Sequence, residues 1–317
     1  MTRLRYAAGA FLAVAALYVS FRHVDHAAVR AAMHAASLQW TIAALVSTLA
    51  TLVLVTVRWG VLLGLHARRH WTGLWSAVVI GQAVNIVFPL RFGEAARVAS
   101  MTRWTGWPAS RSAMALAVER LCDIAAFAAV VLLLATSGHL PDRFARPVPL
   151  MLLVMALAVG AAVAGVALMR RILQRSPGPS GPGAWLVRQA TGAWEGWQLL
   201  MRGPRAAAIL LLTAAILVCS ASTNYLVFRA FDLPVPAVAA LVLLAVLQVG
   251  TAVVSIPGNV GVFQYLTILA LAPWGVDQSR ALAASLVLHV VSLGPRVALG
   301  AIAAMAMRTR HGSIRAG

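Results

Sequence analysis

The sequence predicts an all-α polytopic membrane protein, with about six full transmembrane helices and two broken re-entrant hairpins in one domain over residues 1–317. Three observations lead there. Of the 317 residues, 61% are hydrophobic and 11% charged, with a mean hydropathy of +0.86. Several uncharged runs reach the ~20 residues needed to cross hydrocarbon as a helix. Two further runs are interrupted by proline and glycine, and their second arms are too short to cross.

The first span runs from about Leu4 to Phe21. Its basic start resembles a signal peptide, but Tyr18-Val19-Ser20-Phe21-Arg22 lacks a small-residue cleavage site, so it reads as uncleaved. From Asp25 to Ser37, Val29, Met33 and Ala36 share one helix face while His26, Arg30 and His34 share another, which suits a short interfacial helix or a polar linker. The second span covers about Leu38 to Leu65, with Arg58 near its far end, where an arginine can snorkel to the headgroups. A basic loop, His66 to His70, follows.

Trp71 to Phe88 nearly suffices to cross, but Phe92 to Arg103 forms only ~18 Å of helix. Arginine placement arbitrates. If these arms enter and return, Arg3, Arg5, Arg68, Arg69, the run from Arg170 to Arg205, and Arg308 all share one side. The opposite side keeps only Arg22, Arg30, Arg143, Arg146, Arg229 and Arg280. The positive-inside rule therefore favours a re-entrant hairpin with both termini cytoplasmic.

The third span, about Ser112 to Ser137, carries Glu119, Arg120 and Asp123. The spacing of four sets the two acids on one face, and Arg120 reaches Asp123 at a spacing of three. Val148 to Met169 is a uniformly apolar fourth span. Residues 170–205 form a cytoplasmic segment: a Pro/Gly linker from Ser176 to Gly183, then Trp185, Trp194 and Trp197 with Arg188 and Arg202 on an interfacial helix. The fifth span is about Ala206 to Phe228. No charge occurs from Leu233 to Val276, a stretch too long for one crossing and broken at Pro257-Gly258-Asn259-Val260-Gly261. Val262 to Ala272 is again short, which predicts a second re-entrant hairpin, entered from outside. The last span is about Ala281 to Met307.

Charge at membrane depth marks the candidate site. An ionised side chain near the bilayer centre costs about 2.5–3.5 kcal/mol on insertion scales, so such groups face a cavity or one another. Four groups are candidates to line one polar cavity. The first is the break with Asn85, Pro89, Arg91, Gly93, Glu94 and Arg97. The second is Glu119, Arg120 and Asp123. The third is Pro257, Gly258, Asn259 and Gly261 with Gln264. The fourth is the one-faced stripe Ser285, His289, Ser292 and Arg296. Paired interrupted segments in the two halves of a chain point to a transporter site near the midplane. Arg91 and Arg97 offer forked donors that suit phosphate, and glycines let backbone N–H groups approach an anion. The plainer alternatives are an ion-pair network joining helices for Glu119, Arg120 and Asp123, a hydrogen-bonded helix contact for His289, and interfacial anchoring for the tryptophans.

All 26 basic residues are arginines, against eight acids. They punctuate apolar runs rather than forming an aromatic-interleaved patch, so topology and anionic lipid explain them and nucleic acid is not a partner. Cys122 and Cys219 lie in apolar segments without ligand spacing, so no metal, disulfide or cofactor is expected. No nucleophile elbow, P-loop or dinucleotide fingerprint occurs, and an enzyme is not expected.

The ordered motifs Asn85-x3-Pro89-x-Arg91-x-Gly93-Glu94-x2-Arg97, Glu119-Arg120-x2-Asp123 and Pro257-Gly258-x2-Gly261-Val262-Phe263 resemble the lysylphosphatidylglycerol synthase transmembrane-region family, over roughly Leu4 to Met307. The resemblance implies a flippase-like integral membrane protein of the bacterial inner membrane. Its relatives include the half of the multiple peptide resistance factor that moves aminoacylated phosphatidylglycerol between leaflets, fused there to a soluble aminoacyl transferase. No such domain is read here, so lysyl transfer is not implied. Two departures stand out: Gln264 where the family often has Glu, and His289 where an Arg is common, with Arg296 two turns later. The expectation is a translocase whose substrate is an anionic or modified lipid headgroup held between the hairpins, contacted by Arg91 and Arg97, with Glu94, Glu119 and Asp123 setting charge balance. The alternative is a non-transporting membrane partner of a lipid-modifying enzyme or glycosyltransferase.

Overall fold

A computed structural model describes residues 25–65, 67–88, 92–136, 138, 142–146, 148–175, 203–253 and 257–315. Among these, the chain is all helix and no strand. That outcome follows from composition, because long apolar runs satisfy every backbone donor and acceptor internally only as helices. In chain order the helices are α1 His26–Ala35, α2 Leu38–Leu63, α3 Ala67–Val87, α4 Gly93–Thr105, α5 Ala109–Thr136, α6 Asp142–Ala145, α7 Val148–Arg175, α8 Pro204–Ala230, α9 Val238–Val253, α10 Val262–Leu271 and α11 Gln278–Arg315. Short 3₁₀ turns occupy Pro257–Asn259 and Ala272–Trp274.

Among the described residues, three helices are clearly long and apolar enough to cross a membrane: Leu38–Leu63, Pro204–Ala230 and Gln278–Met307. Leu132, Leu133, Leu150, Leu157 and Leu211 are exposed. Outward leucines, here on α5, α7 and α8, are what a hydrocarbon solvent requires and water penalises. The expected span from Leu4 to Phe21 and the tryptophan-bearing helix after Ser176 lie outside the described residues.

The chain divides into two compact units. One comprises residues 1–53, 79–94 and 216–317. Its core gathers Ala44, Val227, Phe228, Leu243, Phe263, Leu271, Ala284 and Leu288. Hydroxyls and amides stitch its helices: Ser47 Oγ donates to the Cys219 carbonyl at 2.9 Å, and Asn224 Nδ2 to that of Ala240 at 3.1 Å. The α1 helix packs on α11. It presents Val29, Ala32 and Ala36 to the core, whereas Met33, expected on that face, is 45% exposed. Spacings of three and four choose the buried stripe, and Met33 falls one step around it.

The other unit comprises residues 54–78 and 95–215. Trp59, Leu74, Met101, Leu134 and Ile209 are its fully or nearly fully buried large side chains, and α5 packs on α7. At the end of α2, the Gly64 N–H reaches the Val61 carbonyl at 3.0 Å and the Leu65 N–H that of Gly60 at 2.9 Å. Gly64 has φ +68°. This left-handed glycine ending satisfies carbonyls a helix terminus otherwise leaves bare.

Candidate functional site

The second unit holds a buried charge network built from four helices. Asp123 and Glu119 share one face of α5, as their spacing predicts, and each meets an arginine from another helix. Arg58 of α2 places Nη1 2.6 Å from Asp123 Oδ1 and Nη2 3.3 Å from Glu119 Oε1. It also donates to Thr213 Oγ1 of α8 at 3.0 Å. Arg97 of α4 reaches the same Glu119 Oε1 at 3.0 Å, and its guanidinium lies 3.8 Å over the Trp59 ring. Arg120 Nη1 stands 3.5 Å from Asp123 Oδ2, the expected contact at a spacing of three.

Burial gives these contacts their weight. Arg58, Glu119 and Trp59 are 2%, 3% and 0% exposed, and Arg97 is 6%. Ion pairs removed from water are strong only when geometry and hydrogen bonding are good, and removing one partner is costly. Three arginines face two carboxylates, so the set carries one excess positive charge. Several of its buried polar atoms lack a hydrogen-bond partner among the described residues, including Arg58 Nε, Nε and Nη2 of Arg97, and Oε2 of Glu119. Arg97 thus keeps two nitrogens that its pair with Glu119 does not use.

Arg58 was expected to snorkel toward the headgroups and does not. Two acids on one α5 face, with Arg120 the one arginine within a turn of them on that helix, leave a demand for positive charge that α2 supplies. That unmet demand was the available signal.

The first unit holds the two chain breaks, and its polar groups there bond to one another. The Gly93 N–H donates to Asn85 Oδ1 at 2.8 Å, tying the start of α4 back to α3. A Cβ at Gly93 would overlap the Gly81 carbonyl and the Asn85 carboxamide, which is why a glycine stands there. Glu94 opens α4, where its charge suits the helix N-terminus. Pro89 and Arg91 lie outside the described residues.

At the second break, Gly258, Asn259 and Gly261 take φ of +65°, +52° and +85°. The Gly261 N–H donates to Gln264 Oε1 at 2.7 Å. Gln264 Nε2 lies 3.1 Å from His289 Nδ1 of α11, and Phe263 meets the His289 ring edge-on with centroids 4.8 Å apart. One carboxamide thus caps α10 and links the break to the last helix. Pro257 begins the 3₁₀ turn.

Of the expected stripe on α11, Ser285 is buried and returns its hydroxyl to the Leu282 carbonyl at 2.6 Å. Arg296 follows Pro295 inside the helix, and its Nε is buried without a hydrogen-bond partner among the described residues. Among the described residues no group of three or more His, Cys, Asp or Glu is arranged to hold a metal ion.

The sequence model of the lysylphosphatidylglycerol synthase TM region matches residues 6–300. No curated protein matches the chain.

Proposed function

The chain belongs to the lysylphosphatidylglycerol synthase transmembrane-region family, and on that premise we propose that it is a translocase for an anionic or modified lipid headgroup in the bacterial inner membrane. The proposed arrangement has six full spans, two re-entrant hairpins and cytoplasmic termini. The unpartnered N–H donors of Arg97 within the Arg58–Glu119–Arg97–Asp123–Arg120 network carry the reading, because a buried guanidinium N–H without an acceptor favours an anionic guest. The unpartnered Nε and Nη2 of Arg97 are placed to donate to a phosphate in the planar fork that arginine offers.

Glu119 holds Arg97 at one nitrogen and leaves two for the guest. Arg58 meets the same Glu119 oxygen at 3.3 Å, and the Trp59 ring under Arg97 fixes the plane of its guanidinium. No bond is made or broken in this activity: the lipid moves, and lysyl transfer plays no part.

The test is transport by the reconstituted chain. Proteoliposomes carry phosphatidylglycerol labelled with a dithionite-quenchable fluorophore, and loss of inner-leaflet signal reports movement between leaflets. Arg97→Gln should slow that movement at least ~tenfold, about 1.4 kcal/mol, while helicity and size-exclusion behaviour stay as in wild type. Wild-type transport by a folded Arg97→Gln chain would remove the site from the pathway.

A further inference from the structure

Beyond the charge network, the second unit contains a cavity of about 270 Å³ between the end of α2 and the start of α8. Val61, Gly64, Leu65, Pro204, Arg205 and Ala208 line it. All of these are apolar or backbone except Arg205, whose Nη1 is buried and has no hydrogen-bond partner among the described residues. A guanidinium N–H left bare in an apolar recess is unfavourable until something accepts from it.

The neighbouring polar groups do not fill that role. The α2 carbonyls of Gly60 and Val61 are already taken by the Leu65 and Gly64 N–H groups, so Arg205 is not the cap of α2. The start of α8 adds positive potential at the recess. Helix α8 is 27 residues long and begins at Pro204, so its first N–H groups, which have no intrahelical acceptor, point toward this end.

We propose that this recess is a second, non-transported lipid site, which seats one anionic phospholipid with its phosphate on Arg205 and its glycerol and upper acyl carbons against Val61, Leu65 and Ala208. Water suits the recess poorly, because a buried water needs two to four polar partners and the lining supplies one side chain. A zwitterionic lipid brings its own cation to Arg205, whereas an anionic one brings none. Basic pockets between spans beside an arginine-rich loop have the chemistry for such headgroups. The site is independent of the transport reading, since Arg205 touches none of the network residues in any hydrogen bond or ion pair among the described residues.

The experiment is native mass spectrometry of the full chain, delipidated in neutral detergent and titrated with dioleoyl phosphatidylglycerol, with dioleoyl phosphatidylcholine and inorganic phosphate in parallel. Wild type should retain a phosphatidylglycerol adduct that phosphatidylcholine does not replace and phosphate does not displace. Arg205→Gln and Leu65→Trp, the latter filling the recess with Arg205 intact, should each weaken that adduct about tenfold, which is about 1.4 kcal/mol, and Arg97→Gln should leave it. Thermal unfolding of each variant, read by circular dichroism, reports folding separately. Equal binding of both lipids, displacement by free phosphate, or wild-type binding in a folded Leu65→Trp chain would each overturn the proposal. An adduct lost in Arg97→Gln but kept in Arg205→Gln would also overturn it and assign the lipid to the network instead. Loss in Arg205→Gln alongside normal transport by Arg97→Gln would uphold this site and refute the transport reading.

Discussion

Arg97 and Glu119 should be strongly coupled, and a double-mutant cycle measures how strongly. Arg97→Gln removes a charge-assisted bond of 3.0 Å, worth about 1.5–3 kcal/mol. It also removes the stack over Trp59 at 3.8 Å, worth up to ~2 kcal/mol when desolvated. Glu119 still holds Arg58 at 3.3 Å, so its carboxylate is not stranded, and a net loss of about 2–4 kcal/mol is expected. Glu119→Gln is worse. Arg58 retains Asp123 at 2.6 Å, but Arg97, 6% exposed, loses the carboxylate that compensates its charge. Breaking a buried pair from that side costs about 3–5 kcal/mol. In the double variant neither charge is stranded, so its loss should fall short of the sum of the singles by about 1–3 kcal/mol. The assay is reversible unfolding of the purified chain in mixed micelles, followed by circular dichroism at rising denaturant. Additivity within ~0.5 kcal/mol would show that the 3.0 Å contact does not couple the two helices.

Three further outcomes are expected. Arg58→Met should destabilise more than Arg120→Met in the same unfolding assay, because Arg58 bridges both carboxylates at 2% exposure, whereas Arg120 is 42% exposed in its side chain at 3.5 Å, where a pair is worth at most about 1 kcal/mol. Gly300→Val should lower the thermal midpoint, since a Cβ at Gly300 would overlap Ala83 Cβ and crowd the Val79 carbonyl at 2.6 Å; overpacking of this kind costs about 1–3 kcal/mol, and an unchanged midpoint would contradict the close approach. Gln264→Leu should strand the buried Gly261 N–H, now bonded at 2.7 Å, and cost about 1–3 kcal/mol; faster amide exchange around Gly261 would localise the effect.

Helix placement was legible because bilayer physics restricts the choices. The expected spans from Leu38, Ser112, Val148, Ala206 and Ala281 each correspond to a helix whose ends differ by a few residues, except α7 and α11, which run on past their apolar stretches to Arg175 and Arg315. Both breaks also stand where proline and glycine announced them. The pairing of Glu119 with Asp123 on one face followed from the 3.6-residue period alone.

Tertiary partners were not legible in the same way. Arg58 sits seven residues from the end of its expected span, where snorkelling and inward pairing fit the sequence equally well; only the packing of α5 against it decides. Ala32 and Met33 compete for one face of a ten-residue helix, and the stripe that α11 accepts is a property of α11. The Asn85–Gly93 and Gln264–Gly261 hydrogen bonds turn residues that read as donors for a ligand into groups that close the chain breaks. Arg205 looked like one more topology arginine because a cavity has no sequence pattern.

The central claim is that this chain moves an anionic lipid headgroup between leaflets. The most direct measurement is the rate at which wild-type protein in liposomes exposes fluorophore-labelled phosphatidylglycerol to dithionite, beside labelled phosphatidylcholine and protein-free vesicles. Faster exposure of phosphatidylglycerol than of phosphatidylcholine, absent without protein and lost in Arg97→Gln, is the predicted result. Rates equal to protein-free vesicles for both lipids would contradict it and leave a non-transporting partner of a lipid-modifying enzyme as the better account.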